Sequence, residues 1–137
     1  MFCECQNLTS INISNFNTQN VESMGSMFSS CENLKSINLP STISKKVRYM
    51  WSMFSSCSSL TSINISNFYT NNSVDINLMF AFSRNLNFID ISSFHRSNCG
   101  IDIFSLITNK GKILVNNDFY NCTKNYLPNW DIVISSY

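Results

Sequence analysis

The stretch Met27-Phe28-Ser29-Ser30-Cys31 recurs one repeat further along the chain as Met53-Phe54-Ser55-Ser56-Cys57. The same spacing leads back to Met1-Phe2-Cys3-Glu4-Cys5 and forward to Met79-Phe80-Ala81-Phe82-Ser83. Because many columns align at this spacing without a gap, the sequence predicts an internal repeat with a 26-residue period. Three further apolar columns keep the spacing: Leu8, Leu34, Leu60 and Leu86; Ile11, Ile37, Ile63 and Ile89; Ile13, Leu39, Ile65 and Ile91.

Each repeat contains a strand pattern followed by a helix pattern. Residues 8–13 read LxxIxI, and the Ile-x-Ile end alternates as a half-buried strand does. Residues 21–31 place apolar side chains at helical spacing, which predicts a short helix. The apolar positions of that predicted helix are Val21, Met24, Met27, Phe28 and Cys31. Three phenylalanines are expected to fill the turn between the two elements: Phe16, Phe68 and Phe94.

A single repeat buries less apolar surface than it needs to offset the entropy of ordering its residues, so the repeats must stack. We therefore predict an α/β fold, a solenoid of about four rungs over residues 1–109. A short parallel sheet is expected on one side and short helices on the other.

These residues resemble the BspA-like leucine-rich repeats, in particular a subfamily of mycoplasma surface proteins of unknown function. The resemblance is carried by residues 8–18 and continues through Val21, Met24, Met27, Phe28 and Cys31. It implies the repeat fold and a surface, secreted or virion-associated protein involved in adhesion or host contact.

Two copies depart from this pattern. In the second copy Pro40 replaces a serine, and Thr42-Ile43 stands where Phe16-Asn17 would be. In the fourth copy, strict spacing puts Ser105-Leu106 in place of Met-Phe and Asn109 in place of the cysteine.

The two ends of the repeat region differ. Residues 110–137 break the period and are predicted to form a C-terminal cap, because a stack of repeats must cover its apolar end. In this cap we expect a strand at 113–115, a turn at 116–118 and a closing strand within 127–134, with Trp130 over the final rung. The chain opens in mid-repeat, so Leu8, Ile11 and Ile13 are expected to line an open apolar edge. Either a partner or second copy covers that edge, or the chain continues a longer array.

Composition narrows the function classes. The net charge is +1 and only 12% of residues are charged, which gives no field to attract nucleic acid. No apolar run is long enough to span a bilayer, so membrane insertion is not expected. With a single histidine, His95, and with Asp90 and Asp102 on different elements, we predict no enzyme activity, no cofactor and no metal.

Six cysteines divide into two groups. Cys5, Cys31 and Cys57 form one column, which predicts stacked thiols rather than bridges, because equivalent side chains point the same way. Cys3, Cys99 and Cys122 lie outside that column, and a disulfide between two of them remains open.

The strand face is the leading candidate site. Residues between the buried strand positions form two rows, small and polar except for Phe88, a candidate stacking anchor. These rows are either a binding surface for a protein or glycan or a solvated ladder that keeps the sheet soluble. The strand-face residues are Ser10, Ser36, Ser62 and Phe88 in one row, and Asn12, Asn38, Asn64 and Asp90 in the other.

The alternative function is a structural assembly component, such as a virion or surface-layer subunit or a homo-oligomer, that docks through its N-terminal rung. Tyr49 and Trp51 lie outside the apolar stripe of the predicted helix. They either mark a contact on the side opposite the sheet or pack on a neighbouring helix.

Overall fold

A computed structural model describes residues 1–70, 73–96 and 99–135. The chain is a small α/β protein whose short strands all pair in parallel, in two sheets with orders β1-β2 and β3-β4-β5-β6. The predicted α/β class and parallel pairing are confirmed, although the strands do not form one sheet. The elements are β1 Ser10–Asn12, β2 Ser36–Asn38, β3 Ser62–Asn64, β4 Phe88–Asp90, β5 Lys112–Val115, α1 Asn117–Tyr126 and β6 Asp131–Ile134.

The repeat period sets the strand register. Ile11 lies opposite Ile37, and Ile63 lies opposite Ile89, so each pair is exactly one period apart. Since side chains alternate along a strand, these isoleucines share the inner face while their neighbours share the outer face. We call residues 8–33, 34–59, 60–85 and 86–109 the first to fourth segments. The fourth is shorter by two positions, because Ile89 pairs with Ile113.

The prediction of short helices at 21–31 and at the equivalent residues of the later repeats is wrong. Residues 25–30, 51–56 and 77–82 form successive turns. Ser26 and Ser30 have φ of 51° and 59°, and the next segment repeats this at Ser52 and Ser56. A left-handed residue cannot continue a right-handed helix, so the recurrence of such residues divides the stretch into turns.

Backbone hydrogen bonds to the next segment replace those of the predicted helix. The N–H groups of Met24, Ser26, Phe28 and Ser30 donate to carbonyls of the following segment, at 2.7–3.0 Å. The N–H groups between them bond within the turn, as Met27 N does to Met24 O at 3.2 Å. Neighbouring segments are therefore held together along the turns, and also along the strands except between β2 and β3.

A stack of five phenylalanine rings runs through the core. Phe2, Phe28, Phe54, Phe80 and Phe104 lie with successive centroids 5.5, 5.7, 6.1 and 5.9 Å apart and planes within 7° of parallel. All but Phe2 are buried. The repeat columns found in the sequence are therefore stacked side chains.

The assignment of the fourth copy was wrong by two positions. Phe104, not Leu106, stacks on Phe80, and Phe80 N donates to Ile103 O at 3.0 Å. Ile103-Phe104 therefore takes the Met-Phe position. Ile107 N donates to Phe104 O just as Cys31 N donates to Phe28 O, so Ile107 rather than Asn109 follows the cysteine column.

The turn-filling phenylalanines are only partly as predicted. Phe68 and Phe94 are 1% and 0% exposed, and both fill the corner after their strand. Phe16 is 45% exposed, so the expectation is wrong for that residue.

The C-terminal region contains one element that the sequence analysis missed. Strand β5 includes the predicted strand, and β6 falls within the predicted closing strand. Between them lies α1, where a turn was expected: Asn116 caps the helix by accepting a hydrogen bond from Phe119 N at 3.1 Å. Trp130 is buried and its Nε1 donates to Asn109 O at 2.8 Å. In the described part of the chain, no helix has the length and hydrophobicity to cross a membrane.

A disulfide between Cys99 and Cys122 joins α1 to the fourth segment across a sequence separation of 23. This pairing is one of those the sequence left open. Cys122 is 4% exposed, so the bridge lies at the packed side of the helix.

Replacing Phe54 by alanine should lower the free energy of unfolding by about 3–5 kcal/mol, because it empties the middle of the ring stack. Chemical denaturation measures the change. Phe82→Ala is the matched control, since Phe82 is 41% exposed and outside the stack, and should cost less than about 1 kcal/mol. Equal losses would contradict a stabilising stack.

Removing the disulfide with Cys122→Ser should lower the free energy of unfolding by about 3 kcal/mol, because the unfolded chain loses a closed loop. Denaturation of the oxidised proteins measures this loss. The difference should shrink when both proteins are reduced, and a difference that stays as large as in the oxidised proteins would show that the bridge contributes nothing.

Candidate functional site

The predicted strand face is a set of exposed polar side chains in register. The serines of the first row align across β1 and β2, as do the asparagines of the second. The isoleucine between them points inward in every segment. The face is divided in two, because β2 and β3 belong to different sheets. Its exposed members are Ser10, Ser36, Ser62, Asn12, Asn38 and Asn64.

The asparagine row also ends the strands. Asn12 Oδ1 accepts a hydrogen bond from Ser14 N at 3.1 Å, and Asn64 Oδ1 accepts one from Ser66 N at 3.0 Å. These are Asx turns, in which a side chain replaces a backbone acceptor. In the second segment Pro40 occupies the donor position and has no N–H, so Asn38 cannot make this bond. The row therefore has a structural role that the sequence analysis did not assign.

The fourth strand differs from the others. Phe88 is half-buried and Asp90 is 9% exposed, so both are less accessible than their counterparts in β1 to β3. Asp90 Oδ1 accepts hydrogen bonds from Ser92 N at 3.1 Å and Ser92 Oγ at 2.8 Å. The aspartate thus keeps the turn-forming role and adds a carboxylate.

A polar cleft of about 580 Å³ lies beside the ends of β3 and β4. It brings together Asn64 and Asp90 of the predicted face with His95, which sequence reasoning did not place in a site. Its other lining residues are Ser66, Asn67, Ser92, Ser93 and Leu114.

One cleft residue, His95, also contacts an aromatic ring that is not part of the cleft lining. The Tyr69 ring lies 5.5 Å from the His95 ring at an angle of 38°, and Tyr69 is 54% exposed. His95 Nδ1 also lies 3.6 Å from Asp118 Oδ2 and 3.3 Å from Asn116 Nδ2, so the cap helix helps to position the imidazole. The repeat spacing contained a signal for this pair, because Tyr69 and His95 occupy equivalent positions of successive copies.

The cleft offers binding chemistry. A carboxylate, amides, hydroxyls and an imidazole supply hydrogen-bond donors and acceptors. The exposed Tyr69 ring, which contacts His95 from outside the cleft lining, has an apolar face. Among residues 1–70, 73–96 and 99–135, no three His, Cys, Asp or Glu side chains are grouped so as to hold a metal ion.

The predicted N-terminal edge is only partly accessible. Leu8 and Ile11 are half-buried, but Ile13 is 4% exposed and its N–H donates to Asn38 O at 2.9 Å. The expectation of a bare edge is therefore wrong for Ile13. Within the described ranges, β1 pairs with β2 alone.

Tyr49 and Trp51 are both exposed, by 47% and 42%. The Trp51 indole lies on Gly25 of the preceding segment, where a Cβ atom would come within 2.6 Å of Trp51 Cε2. Trp51 therefore packs on a neighbouring segment, which is one of the two alternatives predicted, but it packs on a turn and not on the expected helix. Gly25 is needed here because any larger residue would displace the indole.

The cysteine column forms a series of side-chain hydrogen bonds. Cys31 Sγ donates to Phe2 O at 2.9 Å, Cys57 Sγ to Phe28 O at 3.2 Å, and Ser83 Oγ to Phe54 O at 2.6 Å. Burial raises the pKa of Cys57 to about 12 and also raises the pKa of Cys31. These thiols stay protonated, so they act as structural donors rather than nucleophiles.

One family match covers most of the chain. The family described as "Mycoplasma protein of unknown function, DUF285" matches residues 1–121. The chain belongs to this family. The match includes β1 to β5 and the stacked turns, so the DUF285 region contains both the strand face and the cleft. Comparisons with curated proteins and with solved structures found no match.

Proposed function

We propose that this DUF285 chain is a non-enzymatic binding module that recognises a protein or a glycan through its strand face. In this proposal the stacked segments are a leucine-rich-repeat solenoid of the BspA-like kind. The repeated register, the five-ring stack and the outward polar rows support that interpretation.

The cleft at the ends of β3 and β4 favours a glycan as the ligand, and it is the observation on which the proposal rests. Asn64, Asp90 and His95 converge on a space of about 580 Å³. Carboxylate and amide groups bind sugar hydroxyls by directional hydrogen bonds, and the exposed Tyr69 ring can pack on the apolar face of a sugar. A protein partner would more often require several buried aromatic or arginine anchors, which the serine and asparagine rows do not offer.

The disulfide supports a location at the cell surface or outside the cell. Structural disulfides persist in oxidising compartments and are rare in the reducing cytosol. The Cys99–Cys122 bridge links the cap helix to the fourth segment, which is a structural role. We include surface exposure and a role in adhesion in the proposal on this basis.

Binding to an array of immobilised mono- and oligosaccharides tests the proposed ligand class. At least one saccharide should bind the unmodified protein, and Tyr69→Ala should weaken that binding at least about tenfold because the stacking ring is lost. Titration calorimetry measures the affinities, and the melting temperatures should agree because Tyr69 is largely exposed.

Tyr49→Ala is the matched control, since Tyr49 has similar exposure but lies on the turn side of the stack, where it pairs with Ser23 and Asp75. Its affinity should equal that of the unmodified protein. Absence of saccharide binding, or equal weakening by both variants, would contradict a glycan site in the cleft.

We propose as a second candidate that the chain assembles with other subunits through β1. The supporting observation is that β1 pairs with β2 alone among the described residues, while Leu8 and Ile11 keep partial exposure. An unpaired strand edge can accept a strand from another chain.

Light scattering on the purified chain should then show a defined oligomer. Ile11→Lys should dissociate that oligomer, because it places a charge among the apolar side chains that an added strand would cover. Ser10→Lys, on the outer face of the same strand, is the control and should leave the oligomer intact. A monomeric unmodified protein would refute assembly through β1.

A further inference from the structure

An interrupted column of phenylalanines leaves an apolar cavity in the core. Phe16, Phe68 and Phe94 occupy equivalent corners of the first, third and fourth segments, but the second segment has Thr42 there. Thr42 is exposed and does not fill the corner. A cavity of about 230 Å³ lies at this place, with Phe16 and Phe68 among its walls.

The cavity has a closed floor and an accessible mouth. Met53 and Phe68, which are 0% and 1% exposed, form the floor. Phe16 is 45% exposed and stands at the mouth, together with Thr18 and Ser23. A ligand could therefore enter without unfolding a segment and then be surrounded by apolar side chains.

The cavity coincides with the break between the two sheets. Ile13 N donates to Asn38 O and Ile65 N donates to Asp90 O, at 2.9 Å each, and so tie their strands to the next segment. In the described structure, β2 has no such pairing with β3. Leu39 and Pro40, which follow β2, line the cavity, and Pro40 lacks the N–H that closes the Asx turn in the first and third segments. The cavity thus lies where the second segment departs from the repeat.

The lining suits an aromatic ring. Four methionines of the lining present flexible thioethers: Met1, Met24, Met27 and Met53. Methionine sulfur makes favourable contacts with aromatic rings. An apolar cavity of about 150 Å³ is large enough to bind benzene. The larger space here accommodates a ring with a substituent directed toward the polar mouth.

We propose that this cavity binds a small molecule with one aromatic ring system, either a benzene ring or a fused system such as indole, which occupies the place of the missing phenylalanine side chain. The site is separate from the strand face and its polar cleft in both position and chemistry. It therefore does not depend on the proposed function.

Binding of indole to protein labelled with ¹³C at the methionine methyl groups tests this proposal. The methyl signals of Met24, Met27 and Met53 should shift saturably as indole is added. Met50 and Met79 are buried but do not line the cavity, so their signals should not move. Absence of saturable shifts, or equal shifts at all five of these methionines, would overturn the proposal.

Two filling variants distinguish this cavity from any other binding place. Thr42→Phe restores the repeat pattern, and Leu39→Phe adds a ring from the cavity wall, so each should weaken indole binding at least about tenfold. Circular dichroism and the melting temperature establish that each variant is folded. If both variants are folded and both bind indole with the affinity of the unmodified protein, the binding site lies elsewhere.

Cyclohexane tests the chemical class. It has a similar size to benzene but no π-system for the methionine sulfur atoms of the lining, so it should shift the same methionine signals with lower affinity than benzene. Equal affinities of benzene and cyclohexane would overturn the assignment to aromatic ligands.

Discussion

The backbone hydrogen bonds that leave each segment at alternate residues and reach the next segment determine the rest of the structure. The N–H groups of alternate residues from Met24 to Ser30 donate to carbonyls of the following segment. The turns of this segment therefore cannot complete their hydrogen bonds without the next segment. Left-handed serines turn the chain so that these N–H groups point along the stack. Equivalent side chains then lie one above the other, which produces the phenylalanine stack and the cysteine column.

Much of this arrangement follows from the spacing in the sequence, and the errors have specific physical causes. The strands, the inward isoleucines and the columns of Phe28 and Cys31 were predicted because a repeat period brings equivalent residues together. The helix at 21–31 was not a correct prediction, because a series of turns buries side chains at the same spacing as a helix. Only the backbone conformation of Ser26 and Ser30 separates the two, and serine is not a residue whose presence signals φ above zero.

The candidate site was predicted in part. The two polar rows lie outward as expected, but the turn-forming role of Asn12 and Asn64 was missed, as was the approach of His95 to the cleft. The position of His95 depends on tertiary contacts: helix α1 and its N-cap bring Asp118 and Asn116 to His95. The repeat pattern does not predict that helix, because the helix lies beyond the last repeat. The shortening of the fourth segment also escaped the strict spacing and displaced the assignments at 105–109.

Departures from the repeat, rather than its regular positions, supply both proposed binding places. The polar cleft includes Asp90, which occupies the position of an asparagine in β1 to β3. The apolar cavity forms where Thr42 and Pro40 interrupt the second segment. The regular scaffold follows from membership of DUF285, whereas the residues that depart from the repeat determine the binding chemistry proposed for this particular chain.

The bridge between Cys99 and Cys122 makes the molecule mechanically asymmetric. It links the fourth segment covalently to α1. The free cysteines, by contrast, form no covalent link between segments: Cys3, Cys5, Cys31 and Cys57. Because each segment depends on its neighbours and the fourth is also linked covalently to α1, we expect a force along the stack to separate the N-terminal segments before the C-terminal end.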